Sequence, residues 1–349
     1  MWLLDGETTI PPYLPELSNL VRRDFKLSLS EPAEHQGRQL QRGFERIIHF
    51  LRGVEIGIAL GGAARGMAHL GVLKELEEHG IYVDLIAGTS AGASAGTSAG
   101  TSAGASAGAM TGTLYASGMD VEYTIQSFKR DLTLPWFFRM LPGGGYWYLV
   151  YKYRRGKFDP MLRKYLGEAR LEQLPIPMLT VTVDLVSGGP VVREAGDATR
   201  GILESINLPG LSSPIMGDGE ALVDGGLVNN IPADVLVSKG CNFVMASSVT
   251  AKLERDFVGI RAGQTPQKQK APSVLKVIMR GHLVQSFNMN SVGVQPADFV
   301  IEPDVTAFDL AEFERADEMA AVGQRTTSDL VKTIKKQLAK LDKDLFPFD

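Results

Sequence analysis

Residues Val83 to Met119 read VDLIAGTSAGASAGTSAGTSAGASAGAMTGTLYASGM, and the fold turns on how they are parsed. The apolar run Val83 to Ala87 breaks into Gly88-Thr89-Ser90-Ala91-Gly92, the G-x-S-x-G spacing of a serine set on a sharp strand-to-helix turn. Such a turn strains the backbone while the hydroxyl stands clear, so small residues are needed two places before and two places after the serine. Backbone N–H groups at the start of the following helix then face any oxyanion that forms. A glycine recurs at every fourth position from Gly88 to Gly112, so the same pattern can be read at Ser90, Ser94, Ser98, Ser102 and Ser106. Only Ser90 directly follows a strand-like run, which makes it the candidate nucleophile. The other four serines are expected inside the following helix, bonded to the preceding turn or facing solvent.

Working outward, Val54 to Leu60 (VEIGIAL) reads as a buried strand running into Gly61-Gly62-Ala63-Ala64-Arg65-Gly66, with a helix expected over Met67 to His79. A strand, a glycine-rich turn and a helix N-terminus together present backbone N–H groups to an anion. The loop from Gly61 to Gly66 is therefore read as an oxyanion hole. A dinucleotide loop is the alternative, disfavoured because Ala63 holds the third glycine position and the next strand ends in a serine turn instead of an acid. Strand, turn, helix, strand, turn and helix make a βαβα unit, so a parallel sheet covered by helices is expected. Further strands are expected at Met178 to Val186 and Ala221 to Val223. The second leads into Asp224-Gly225-Gly226 and a helix over Ala233 to Ser238. A carboxylate leaving a strand end before two glycines is well placed to reach a second catalytic group; an ordinary turn aspartate is the less favoured alternative.

Composition narrows the class. With 349 residues, 44% of them hydrophobic, the chain can bury a large α/β core. A formal net charge of −4 argues against nucleic acid as a partner. One cysteine, Cys241, rules out an internal disulfide and a cysteine-rich metal site and fits a reducing, cytoplasmic compartment. No signal-like leader is read at the start, where Asp5, Pro11, Pro12 and Pro15 interrupt. The uncharged window Leu85 to Met119 is long enough to span a membrane, yet its Gly, Ser, Thr and Ala content gives little transfer energy. Tandem duplication of a short unit explains it more simply.

The order LGGAARG, GTSAG and VDGG, with HLGVLKELEEHGI between the first two and ESINLPGLSSPI before the third, resembles the patatin-like phospholipase family. Within it the chain is most similar to bacterial relatives of neuropathy target esterase. The resemblance implies an α/β, three-layer fold with a mostly parallel central sheet flanked by helices. The resemblance covers roughly Val54 to Val249, and with the residue pattern on either side three regions are expected: an extension with an amphipathic helix over 1–52, the catalytic core over 53–250, and a mainly helical part over 251–349 that completes the domain. It further implies a serine–aspartate dyad of Ser90 and Asp224, an oxyanion hole at the Gly61 to Gly66 loop, and glycines Gly88, Gly92, Gly225 and Gly226 framing the two catalytic turns. No metal or other cofactor is implied. The substrates would be phospholipids or lysophospholipids, and the setting lipid catabolism.

A dyad is also what the residues leave open, because a triad needs a histidine after the acid and only His282 follows Asp224, in a probable-helix pattern. His69, in the helix after the glycine loop, reads as a packing residue. Two departures from the family pattern bear on activity. Ala63 stands where glycine is usual, and Ala93 to Gly108 look inserted. As continuous helix the insert would add about 24 Å and leave Met110 to Met119 roughly 160° out of register; a looped-out insert restarting near Met110, or an artefact of sequence assembly, are the other readings. An inactive membrane-associated scaffold and a nucleotide-binding domain are the rival functions.

Leu134 to Lys157 is rich in aromatics (Trp136, Phe137, Phe138, Tyr146, Trp147, Tyr148, Tyr151, Tyr153) and ends in Arg154, Arg155 and Lys157. This suits peripheral contact with the inner membrane face through Trp136 to Lys157, or equally a hydrophobic cap with a solvated basic tail. Arg65 is a candidate for a lipid phosphate or an exposed helix-start arginine, and Asp184 a strand-end acid with no nucleophile to pair with. Beyond Val249, a polar surface excursion is expected over 251–272, a helix over Val274 to Phe287, a last strand over Phe299 to Pro303, and helices over Leu310 to Leu345.

Overall fold

A computed structural model describes residues 33–62, 65–89, 108–141, 144–209, 212–250, 274–308 and 312–347, together with 25, 27, 256–257, 260–261 and 272. The sheet is built from β1 (Ile56–Gly61), β2 (Leu85–Thr89), β3 (Met178–Asp184), β4 (Pro190–Arg193), β5 (Ile215–Gly217), β6 (Glu220–Asp224), β7 (Phe243–Ser248) and β8 (Phe299–Ile301). Its order is β8-β7-β1-β2-β3-β6-β5, with β4 paired to β3 off that path. The five strands from β8 to β3 run parallel, whereas β4, β5 and β6 pair antiparallel. Every residue of β1, β2, β3 and β7 is buried. That explains their continuous apolar character: a parallel strand covered on both faces has no solvent side on which to alternate.

Helices α1 (Ala33–Arg52), α2 (Met67–Glu78), α3 (Gly108–Ala116), α4 (Val121–Leu132), α5 (Trp136–Arg139), α6 (Gly144–Arg154), α7 (Phe158–Leu166), α8 (Ala198–Ser205), α9 (Ala233–Ser238), α10 (Val274–Gly293) and α11 (Ala316–Leu338) flank it. Two apolar clusters result. The larger joins Ile56, Ile58 and Leu60 of β1 with Leu70 and Leu73 of α2, Leu114 of α3 and Ile334 of α11; the smaller joins Ala59, Ala87 and Val244 with Ile231 and Leu236. They lie on opposite faces of β1, since alternate residues of a strand point to opposite sides. The three-layer, mostly parallel architecture expected from the sequence is the one observed.

The C-terminal region is part of that core. α11 crosses α2 at backbone distance: a Cβ on Gly71 would fall 1.9 Å from the Ala320 carbonyl oxygen, and one on Gly323 would fall 2.0 Å from that of Ala68. α1 is held by buried charge. Asp84, just before β2, accepts from the Ile56 N–H at 2.8 Å and lies 2.9 Å from His49 Nδ1, with Arg46 at 3.9 Å. These polar groups sit nearly out of water, so the Asp84 carboxylate depends on its hydrogen-bonding partners.

α3 answers one question about the repeat. All nine of its residues are buried, and a Cβ on Gly108, the glycine that starts it, would lie 2.1 Å from the Leu60 carbonyl oxygen and 2.7 Å from that of Thr89. A straight helix from Thr89 to Gly108 would hold the two roughly 28 Å apart. They are in contact instead, and Met110 packs in the core; the repeat between them, to which the helix, loop and assembly readings apply, lies outside the described residues.

Candidate active site

β2 ends at Thr89, and Ser90 lies outside the described residues, as do Ala63, Ala64, Gly92, Ser94, Ser98, Ser102 and Ser106. The described residues around Ser90 converge. Gly88 is wedged under α3, where an added Cβ would meet the Gly108 carbonyl oxygen at 2.7 Å and Met178 Cε at 2.6 Å. On the other side, Thr89 pairs with Val181 of β3, and Asp224 of β6 pairs with Thr182. A Cβ on Gly225 would lie 2.3 Å from the Val181 carbonyl oxygen and 3.0 Å from Thr89 Cγ2. The turn after Asp224 thus packs against the residue that precedes Ser90.

The antiparallel direction of β6 was not legible in the sequence, yet it delivers the turn to the level of the β2 end. Asp224 is fully buried; its backbone N–H donates to the Asn207 carbonyl at 3.0 Å, and its Oδ1 accepts from the Gly226 N–H at 2.8 Å. α10 covers the same turn, with Ser286 Oγ donating to the Gly226 carbonyl at 3.4 Å.

The glycine loop is pinned from several sides. A Cβ on Gly61 would lie 2.0 Å from the Asn230 carbonyl oxygen; Gly62 takes φ +114°, a conformation that favours glycine, and a Cβ there would meet the Thr250 amide nitrogen at 2.8 Å. Val249 N–H donates to the Gly61 carbonyl at 3.1 Å. Gly66 caps α2 without a side-chain hydrogen bond. Arg65 is not the exposed helix-start arginine of one sequence reading: it is buried, and its Nε donates to the Phe308 carbonyl at 2.8 Å, tying the loop to the segment after β8. Burial of an arginine there had no signal in the local sequence.

Asp184 has a structural place away from this turn. It accepts backbone N–H bonds from Ala221, Val186 and Ser187, which hold its carboxyl well below the usual carboxylate range. Among the described residues no group of three or more histidine, cysteine or acidic side chains is arranged to hold a metal ion.

Tyr153, in the segment read either as a membrane-contacting surface or as a hydrophobic cap, lies near the Asp224 carboxylate. Its hydroxyl donates to the Ile206 carbonyl at 2.7 Å, and burial together with the nearby Asp224 charge pushes its phenol well above the ordinary value. The aromatic segment divides in two: Tyr148 and Phe138 are buried with Tyr153 turned inward, whereas Trp136, Phe137, Trp147 and Tyr151 are exposed beside Met140 and Leu141. Arg154, Arg155 and Lys157 are exposed as well; the Tyr146 side chain lies outside the described residues.

The strand that leads into the serine motif, the glycine loop after β1 and the buried strand-end Asp224 thus belong to one mixed, mostly parallel sheet. The sequence model of the patatin-like phospholipases matches residues 60–103 and 101–237, just over half of the chain, in two pieces that meet inside the repeat. The chain belongs to the patatin-like phospholipase family. It is 27% identical over 300 residues to an uncharacterized NTE family protein of Mycobacterium tuberculosis, covering 81% of this chain and 47% of that one. Lysophospholipase NTE1 of Mycosarcoma maydis is 34% identical over 208 residues, covering 59% of this chain and 10% of that protein. Human patatin-like phospholipase domain-containing protein 6 is 28% identical over 297 residues, covering 80% and 20%. The chain therefore spans about half the length of the mycobacterial relative and a fifth or less of the two eukaryotic ones.

Proposed function

We propose that the chain hydrolyses acyl esters of lysophospholipids or phospholipids with Ser90 as nucleophile and Asp224 as its base, a carboxylic ester hydrolase of lipid catabolism. The contact of Gly225 with Thr89 carries this reading, because it sets a buried carboxylate beside the residue preceding the serine. Asp224 takes the Ser90 hydroxyl proton as Oγ attacks the acyl carbonyl. N–H groups of the Gly61 to Gly66 loop receive the oxyanion. Collapse of that intermediate breaks the ester bond; the alcohol leaves with the proton from Asp224 and the acyl group stays on Ser90. Water, deprotonated by Asp224, then frees the fatty acid and restores the hydroxyl.

Substrate of this kind resides in a membrane, and the exposed Trp136, Phe137, Trp147 and Tyr151 beside Arg154, Arg155 and Lys157 support docking on an anionic, cytoplasm-facing bilayer surface. Among the described residues no helix is long and apolar enough to cross a membrane. Fatty-acid release from lysophosphatidyl and diacyl substrates by the wild type and by Asp224→Asn tests the proposal. Release by the wild type and its loss in the variant are expected; full activity in Asp224→Asn, or none in the folded wild type, overturns it.

A further inference from the structure

Asp224 ends β6, and strand pairing accounts for only part of what holds it there. β3 pairs with it through Thr182, but β5 pairs with β6 only from Glu220 to Leu222. Where β5 stops, the short segment after α8 takes over as a partner of β6. The Asp224 N–H donates to the Asn207 carbonyl at 3.0 Å, and Asn207 Nδ2 donates to the carbonyls of Leu222 and Ser213, both at 3.0 Å. Asn207 is buried, so these bonds are made out of water, where a lost partner is costly.

That segment is a tight turn. The Leu208 N–H donates to the Ile206 carbonyl at 2.8 Å, the i to i+2 bond of a γ-turn with Asn207 at its centre. The Ile206 carbonyl stands just past the end of α8, where carbonyls have no helical N–H to accept from. A carbonyl oxygen has two lone pairs, and the second donor here is the Tyr153 hydroxyl at 2.7 Å. Tyr153 belongs to α6, and its ring is set by its own packing. It lies against the larger apolar cluster, 4.7 Å between centroids from the buried ring of Phe158. Burial, with the Asp224 charge adding to it, pushes the phenol well above its ordinary value, so the hydroxyl keeps the proton it donates.

We infer that Tyr153 is a positioning residue for Asp224: its hydroxyl holds the Ile206 end of the turn whose Asn207 carbonyl grips the Asp224 N–H. The chain of bonds runs Tyr153, Ile206, Asn207, Asp224, from a helix outside the sheet to the carboxylate at its strand end. The kinetic consequence rests on the acyl-hydrolase reading; the link from Tyr153 to Asp224 stands without it.

The test uses the full chain and Tyr153→Phe, which removes the hydroxyl and keeps the ring with its Phe158 contact, and it has two arms. In the first, NMR compares the backbone amides of Asp224 and of Ile58, in the middle of β1. The Asp224 amide proton should move upfield as its bond to Asn207 lengthens, with Ile58 unmoved. An unmoved Asp224 amide overturns the inference whether or not any ester is cleaved, even where the Tm falls, because a hydroxyl that only adds stability leaves that resonance in place. In the second, kcat and KM are measured on a water-soluble ester. Tyr153→Phe should lose roughly tenfold in kcat with KM within about twofold, less than the 10²-fold of a 1 Å displacement because the turn keeps its Leu208 bond. A folded variant with kcat within about twofold of wild type, or a loss confined to KM, overturns the inference. A wild type that cleaves no ester overturns the acyl-hydrolase reading and leaves the NMR arm to decide on Tyr153.

Discussion

Replacing Gly225 with alanine perturbs the site at its tightest joint. The new methyl would lie 2.3 Å from the Val181 carbonyl oxygen and 3.0 Å from Thr89 Cγ2. The first is about 1 Å inside ordinary carbon–oxygen contact, and both partners of the clash are backbone or anchored on adjacent strands. β3 cannot yield without breaking its pairing to β2 and β6, so the turn carrying Asp224 must move. Overpacking of this size costs about 1–3 kcal/mol of stability. A displacement of about 1 Å in a catalytic pair costs on the order of 10²-fold in rate. Purified Gly225→Ala, compared by thermal melting and ester turnover, should therefore fold with a lowered Tm and keep about 1% of the wild-type kcat. Gly37→Ala is the control: it lies in α1 with nothing within 4 Å of the added methyl, and should hold or raise the Tm without touching activity. A Gly225→Ala enzyme within about threefold of wild-type kcat would refute the claim that this contact sets the carboxylate.

Gly71→Ala or Gly323→Ala forces α2 and α11 apart at a backbone contact of 1.9 or 2.0 Å, and each should lower the denaturant midpoint by an amount matching about 2 kcal/mol or more in equilibrium unfolding. Asp84→Ala removes the partner of His49 and Arg46, all nearly out of water, and should cost about 3–5 kcal/mol in the same assay. Asp184 titrates below its unfolded value of 3.8, so its contribution is complete well above pH 4 and is lost as pH falls toward the folded value. Asp184→Asn should accordingly be less stable than wild type at pH 7, with the gap closing as unfolding is measured toward pH 2. Trp136→Ala and Trp147→Ala should each weaken partition onto anionic vesicles by roughly tenfold in co-sedimentation, with little change on a water-soluble ester.

The parts of the fold legible in the sequence are those encoded by local pattern. Val54 to Leu60 and Val83 to Ala87 are apolar because β1 and β2 are buried on both faces, and the glycines after β1 mark its turn. The helix over Ala233 to Ser238 falls where its pattern placed it. What stayed hidden depends on partners distant in sequence. β7 was not singled out, because Phe243 to Ser248 ends in small polar residues whose burial only the neighbouring β1 and β8 explain. Nothing near Asp224 says that β6 runs against the sheet, since strand direction is fixed by pairing with β3. Arg65 looked solvent-facing because its acceptor, Phe308, comes 243 residues later. The aromatic segment looked uniform, yet helical packing sent Tyr148 and Tyr153 inward and left Trp136 and Trp147 outside. The repeat was ambiguous in the same way: only the contact of Gly108 with Thr89 and Leu60 shows how the chain resumes.

The central claim is that Ser90 and Asp224 act as one unit despite the repeat between Thr89 and Gly108. Labelling with a fluorophosphonate probe, followed by fragmentation of the tryptic peptide Glu75 to Lys129, measures it directly. The account predicts a single adduct on Ser90 that disappears in Asp224→Asn. An adduct on Ser94, Ser98, Ser102 or Ser106, or no adduct on a folded wild-type protein, would contradict it.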